Sequence, residues 1–353
     1  MKLGFERGAP DRLETLHPGY FAMVMATGIV AIATSVHRVP VVPTVLFWLN
    51  AAFFAGLTAA TALRITRYPA AFLSDLQSHS RGVGFFTMVA ASGVFGAQLV
   101  LQMHASGVAV LFWGLAGTLW VATTYGILAA LTVKMDKPEL ADGLNGAWLV
   151  IVVATQSVSI LTVLILGAGV LPGLREPLMF AALVLWLGGG AIYFWLMTLI
   201  FYRYTFLRMA PGDLTPPYWI NMGAVAISTL AGATLLSQAE LSPVVSDISK
   251  FAEGMTLFFW SIGTWWIPML LVLGVWRYLL HGVPFRYDPL YWGGVFPLGM
   301  YSVCTERLTQ VMAAPFLKWV SYEFMVISLA AWTATFVGLI DSRLGRGSGE
   351  STR

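Results

Sequence analysis

The chain has 353 residues, 58% of them hydrophobic and only 10% charged, with mean hydropathy +0.76 and net charge +3. Soluble proteins carry about 25% charged residues, so a water-facing surface of ordinary composition is excluded, as is any sizeable soluble domain beside the apolar segments. The single cysteine, Cys304, excludes an intrachain disulfide.

Residues 1–17 are charged and read as a cytoplasmic N-terminal segment. The apolar run that follows has no convincing signal-peptidase site and reads as a retained first helix. Uncharged runs then occupy residues 18–36, 39–63, 82–103, 105–133, 143–174, 177–202, 214–239, 254–276, 289–305 and 324–340. A spanning helix needs about 20 apolar residues. The pattern therefore predicts an all-α integral membrane protein with one ten-helix domain over residues 18–340 and a cytoplasmic tail over 341–353. The termini and the loops after even-numbered runs hold 15 of the 20 Lys and Arg residues. Positive residues stay inside, which places both termini in the cytoplasm of a cell (plasma or inner) membrane protein.

Odd runs open on a shared phrase: Gly19-Tyr20-Phe21, Gly84-Phe85-Phe86, Gly146-Ala147-Trp148, Pro217-Tyr218-Trp219 and Leu290-Tyr291-Trp292. Seven residues past each final aromatic stand Gly28, Gly93, Thr155, Ala226 and Gly299. This reads as five repeats of a two-helix unit. Odd runs are rich in small and hydroxyl residues and even runs in bulky ones, so the economical arrangement is an inner ring of odd helices inside an outer ring of even ones. The small residues then serve either an axial hole or close helix packing. Gly188-Gly189-Gly190, inside an apolar run, reads as a close helix contact rather than a phosphate loop.

The chain has no zinc-type His/Glu cluster, no acidic cluster for a magnesium-bound pyrophosphate, and no Gly-rich loop ending in Lys. No enzyme, no cofactor, no metal and no nucleic-acid partner are expected. No run carries a charge at its middle, which disfavours a buried proton site; Glu306, Arg307, Glu323, His37, His104 and Asp288 lie at membrane edges. Two prolines, Pro268 and Pro297, are interior to runs and free a backbone carbonyl. Phe296 stands beside Pro297, and the corresponding positions in the other repeats are Met25, Ala90, Val152 and Gly223. The large ring is either a plug at a kink or an ordinary interface residue.

The segment from His17-Pro18-Gly19-Tyr20-Phe21 through Met25-Ala26-Thr27-Gly28 resembles the opening of the tellurite-resistance/dicarboxylate transporter family. Asn145-Gly146-Ala147-Trp148 and Tyr291-Trp292-Gly293-Gly294-Val295-Phe296-Pro297-Leu298-Gly299 resemble that family's fifth- and ninth-helix phrases. The resemblance spans about residues 15–342. It implies five hairpins with quasi-five-fold symmetry, a nearly uncharged pore through the inner ring, a homotrimer in membrane lipid, and a pore-occluding phenylalanine at Phe296. Members differ in their anion, among them chloride, nitrate, malate and sulfite. The combined expectation is an anion channel or passive anion transporter for a small inorganic or organic anion, gated by Phe296 beside the Pro297 kink. Its pore-lining candidates are Met25, Thr27, Gly28, Ala90, Ser92, Gly93, Val152, Thr155, Asn221, Gly223, Ala226 and Gly299. The alternative is a proton-linked C4-dicarboxylate (malate) or sulfite carrier.

Overall fold

The computed structural model describes residues 11–344; residues 1–10 and 345–353, in the segments expected to be cytoplasmic, lie outside the described residues. Ten long helices follow one another: α1 (Ala22–Val36), α2 (Val42–Arg67), α3 (Phe86–Leu101), α4 (Ser106–Val133), α5 (Val150–Gly167), α6 (Arg175–Phe206), α7 (Ile220–Ser237), α8 (Ser249–Val275), α9 (Trp292–Val311) and α10 (Lys318–Arg343). No strand occurs among the described residues. Nine of these segments are long and apolar enough to cross a membrane. α9 falls outside that group because Gly293, Gly294, Pro297, Gly299, Glu306 and Arg307 lower its hydropathy, yet 14 of its 20 residues are buried. The helices overrun the uncharged runs at their ends: α2 continues to Arg67 and α10 begins at Lys318. Long basic side chains reach past the apolar layer, so an uncharged run marks the lipid-buried part of a helix and not its full length. The short helix Pro69–Leu76 was not legible, being too short to show an apolar period.

The odd helices form a closed ring in the order α1–α3–α5–α7–α9–α1. Each even helix packs on the odd helix of its own hairpin and on the next odd helix round the ring. In α1, α3, α5 and α7, 78–94% of the apolar stretch is buried; in the even helices it is 17–39%. This is the inner and outer ring expected from composition.

Two devices hold the rings together. Between inner helices, glycines permit close approach. A Cβ on Gly28 would meet Val94 at 2.5 Å, on Gly93 would meet Ser157 at 2.8 Å, on Gly223 would meet Pro297 at 2.7 Å, and on Gly299 would meet Ile29 at 3.0 Å. Between rings, outer tryptophans donate to inner hydroxyls: Trp332 to Thr27 at 2.9 Å, Trp120 to Thr155 at 2.9 Å, Trp113 to Thr162 at 2.8 Å and Trp260 to Thr305 at 3.0 Å. In lipid these donors have no water to turn to, so an inner-ring hydroxyl satisfies them. Of the three glycines in α6, Gly189 meets Gln156 and Gly190 meets Phe259, while Gly188 meets nothing.

Both ends of the described chain lie at one end of the bundle. Arg81 Nη2 donates to the carbonyls of Thr15 and Leu16 at 3.3 Å, and a cavity of about 360 Å³ is shared by Leu16, Tyr20 and Arg343.

Candidate functional site

Each inner helix is entered through one 3₁₀ turn: Pro18–Phe21, Gly82–Phe85, Gly146–Leu149, Pro216–Trp219 and Pro289–Tyr291. Proline in the first turn presets φ and loses no needed donor; Pro18, Pro216 and Pro289 occupy that place. Three turns are capped alike by the preceding side chain. His17 Nδ1 accepts from Gly19 N at 2.9 Å, Asn145 Oδ1 from Ala147 N at 2.9 Å, and Asp288 Oδ1 from Leu290 N at 2.7 Å.

These caps fix the repeat register. Four residues past them stand Phe21, Leu149 and Trp292, so Leu149 takes the place the sequence phrase assigned to Trp148. Every counterpart in α5 therefore moves by one: Val153, not Val152, matches Phe296, and Gln156, not Thr155, matches Gly28. The cause is local. Trp148 turns its indole N–H back to the Gly143 carbonyl at 2.8 Å, and Leu149 fills the buried position.

The five turns touch one another in a ring of the same order as the helices. A Cβ on Gly84 would lie 2.9 Å from Gly19 N, and one on Gly146 would lie 2.6 Å from the Pro217 carbonyl oxygen. Backbone cannot yield as a flexible side chain does. Gly146→Ala is therefore expected to cost about 1–3 kcal/mol and to lower the apparent melting temperature in detergent. Gly188→Ala, which meets open space, is expected to leave the melting temperature unchanged or higher.

Inside the ring of turns is a cavity of about 410 Å³ walled by all five repeats. Two equivalent levels line it: Gly19, Gly84, Ala147, Pro217 and Leu290, then Ala22, Thr87, Val150, Ile220 and Gly293. Arg81 stands in its wall, and no Asp or Glu does. The five inner helices all begin here, so their N-terminal partial positive charges converge on one mouth.

Arg81 is clamped. Its Nε and Nη2 donate to Asp75 at 2.6 and 3.0 Å, and Asp75 also receives Arg64 Nη2 at 2.7 Å. Arg64 is 3% exposed and donates through Nε to the Glu14 carbonyl at 3.1 Å. Two guanidinium groups share the Asp75 carboxylate, and Asp288, which caps the fifth turn, sets a second carboxylate near them. His17, just ahead of the first apolar segment, is held down to about 4 by burial and by the nearby Arg81.

The sign of the His17 effect follows from linkage. At pH 7 the imidazole is neutral whether folded or unfolded. Below its ordinary value of 6.5 the unfolded chain takes up a proton that the folded site refuses until about pH 4. Stability present above pH 6.5 is thus lost as pH falls toward 4, by up to about 3 kcal/mol. His17→Asn keeps the acceptor, as Asn145 does in its own repeat, and is expected to abolish this contribution to acid sensitivity in thermal melts between pH 7 and 4.5.

At the far end of the ring a second cavity, of about 310 Å³, is lined by the C-terminal ends of α3, α5 and α7, by His104 and Gln238, and by Arg307 of α9. It too holds one arginine and no Asp or Glu. Leu101, Leu164, Thr234 and Arg307 in its wall lie fourteen residues beyond Thr87, Val150, Ile220 and Gly293, about 21 Å along the helices. The levels between follow from helical spacing. Three residues past the first cavity are Met25, Ala90, Val153, Gly223 and Phe296; seven past are Ile29, Val94, Ser157, Ile227 and Met300. All ten are buried.

The other expected pore residues point elsewhere or serve contacts. Thr27 and Thr155 accept from outer-ring indoles, and Asn221 Nδ2 donates to Tyr204 of α6 at 2.8 Å. Ser92 returns its hydroxyl to the Met88 carbonyl. Gly28, Gly93 and Gly299 lie at inner-helix contacts, and Ala226 is buried at the same level of α7. Both α8 and α9 remain helical through Pro268 and Pro297. Sequence reasoning counted Arg81 only among the basic loop charges, met His17 only as the start of the family phrase, and passed over Asp75. The signal was a lone acid, Asp75, within an otherwise basic loop.

A family model described as voltage-dependent anion channel matches residues 15–340. An uncharacterized membrane protein of Mycobacterium tuberculosis is 38% identical over 143 residues, 40% of this chain and 72% of that protein. An uncharacterized transporter of Methanocaldococcus jannaschii is 24% identical across 93% of both chains. A sulfite efflux pump of Arthroderma benhamiae is 23% identical across 92% of this chain and 90% of its own. The match runs from just before the first turn of the ring into the last turn of α10, so the chain belongs to the voltage-dependent anion channel family.

Proposed function

We propose that the inner ring is an anion pathway closed at the level of Phe296. One observation carries this reading: two cavities at opposite ends of the inner ring, each with an arginine and no Asp or Glu among its lining residues, are separated by buried, almost wholly apolar levels. Helix N-termini and Arg81 raise anion concentration at the first mouth. Arg307 offsets the C-terminal partial charges at the second. Between them the largest ring at its level is Phe296, beside the small Ala90 and Gly223. An apolar constriction of this kind blocks ions by dewetting.

The chain crosses the membrane as ten helices, with both chain ends on the cytoplasmic side together with the Arg81 mouth, and three copies assemble with one pathway each. The shared end of Leu16 and Arg343 supports the even number of crossings, and the loop charges support the orientation. The transported species is a small inorganic or organic anion.

A sulfite or dicarboxylate carrier is the second reading, favoured by the likeness to a sulfite efflux pump. The inner helices hold no Asp, Glu, His, Lys or Arg before Glu306, so a coupled proton has no side chain to ride through the apolar levels. Reversal potentials in planar bilayers, with chloride, nitrate, sulfite, malate and succinate in turn, are expected to follow the anion gradient and, for chloride and nitrate, which do not titrate, to stay fixed when a pH gradient is imposed. A shift with the pH gradient at constant anion would establish the carrier.

A further inference from the structure

The cavity of about 310 Å³ at the far end of the ring lies among the C-terminal ends of α3, α5 and α7, whose partial negative charges repel an anion. Those ends do not draw on Arg307. α3 and α5 close on their own backbone, Ala105 N donating to the Leu99 carbonyl at 2.9 Å and Val170 N to the Ile165 carbonyl at 3.1 Å. The one hydrogen bond of Arg307 runs from Nη1 to Gln310 Oε1 at 3.1 Å. Glu306 lies within electrostatic reach of Arg307 and of His37. It forms no ion pair with Arg307 and is not in the cavity wall.

What Arg307 keeps free is its Nε–Nη2 edge, two parallel N–H groups that can take two oxygens of one anion. Two more unused donors line the same cavity: the Gln238 amide, at the end of α7, and the Ser106 hydroxyl, at the start of α4. None of these atoms donates to a described residue, and none is buried without a partner, so each stays open to the cavity. The other hydroxyls of the wall are engaged: Thr234 donates to the Leu230 carbonyl at 2.7 Å and Ser237 to the Thr234 carbonyl at 2.8 Å. Gly167 lets the Gln238 amide lie against the end of α5, since a Cβ there would meet its Oε1 at 2.9 Å.

We propose that this cavity binds one small oxyanion, with Arg307 Nε and Nη2 holding two of its oxygens and the Gln238 and Ser106 donors completing the shell. A halide, having one centre, cannot engage the two-point edge. The surrounding helix ends oppose any anion, so occupancy depends on Arg307. As a station on the anion pathway the site rests on the reading above. It then sorts oxyanions from halides at the far mouth, whereas Phe296 closes the ring to both. A station must release what it binds, so its affinity is roughly millimolar.

Saturation-transfer NMR of the purified full chain in detergent tests the site, with formate as the probe, because its single proton reports contact with the protein. Nitrate and sulfite are expected to displace formate at about tenfold lower concentration than chloride, at constant ionic strength. Arg307→Gln should weaken formate binding at least about tenfold. Arg307→Lys keeps the charge and loses the edge, and should abolish the preference for nitrate over chloride. Gln238→Glu keeps the shape that packs on Gly167 and sets a carboxylate in the cavity; it should also weaken formate at least about tenfold, and it serves should Arg307→Gln fail to fold. Formate affinity unchanged in Arg307→Gln or Gln238→Glu, or a nitrate preference unchanged in Arg307→Lys, overturns the proposal. Formate that binds at Arg307 but does not enter proteoliposomes overturns the pathway and leaves the site standing.

Discussion

Phe296→Ala proteoliposomes are expected to release chloride at least about tenfold faster than wild type, the change produced by lowering a barrier by about 1.4 kcal/mol. Phe296 is 1% exposed and is the one aromatic among Met25, Ala90, Val153 and Gly223 at its level. Truncating it removes the largest side chain at its level of the ring, and on the proposed reading this admits water there. The same truncation has a packing cost of about 3–5 kcal/mol in an ordinary core. Phe296→Leu separates the two effects, since it retains most of the bulk. It should show flux between wild type and alanine with little loss of thermal stability. Equal flux from all three folded proteins would show that this ring does not close the pathway.

Asp75→Asn is expected to destabilise the protein by about 3 kcal/mol or more, because it leaves Arg64 buried without its counter-charge. The carboxylate receives both Arg64 and Arg81 at 2.6–3.0 Å. The two arginines also hold the carbonyls of Glu14, Thr15 and Leu16. Losing Asp75 therefore unfastens the segment that precedes α1 and the orientation of Arg81 together. Arg81→Gln, by contrast, removes the more exposed partner and leaves Asp75 paired with Arg64. It should keep the fold and slow chloride entry at low salt, with the difference shrinking as ionic strength rises. Thermal melts and salt-dependent flux on the two variants check both halves. An Asp75→Asn protein as stable as wild type would remove the clamp from the account.

The alternation of ring types was legible because lipid imposes it. In a bilayer, helices approach through small residues and face lipid with bulky ones, so odd and even runs differ in kind along the sequence. The position proposed here as the gate stands out in the sequence for a related reason: only α9 carries an aromatic beside an interior proline. The hydroxyls were misleading. Thr27 and Thr155 look like groups that wet a pore, but a tryptophan on a neighbouring helix claims each of them. Nothing in the local sequence says which side of α1 or α5 meets Trp332 or Trp120. The clamp on Arg81 was hidden for the same reason, since its partners come from the segment before α1 and from the loop after α2.

By itself, then, the sequence determined the solvent of this protein, its repeat of helical hairpins, and the absence of charged side chains along the inner helices before Glu306. These depend on composition and period, which are local. The tertiary structure decided the one-residue shift in α5, the inward and outward faces of each inner helix, and the two arginine-bearing cavities at the ends of the ring. Those depend on how five helices close on one another, and closure is set by contacts such as Gly146 on Pro217 and Gly223 on Pro297, between residues some seventy positions apart in the chain.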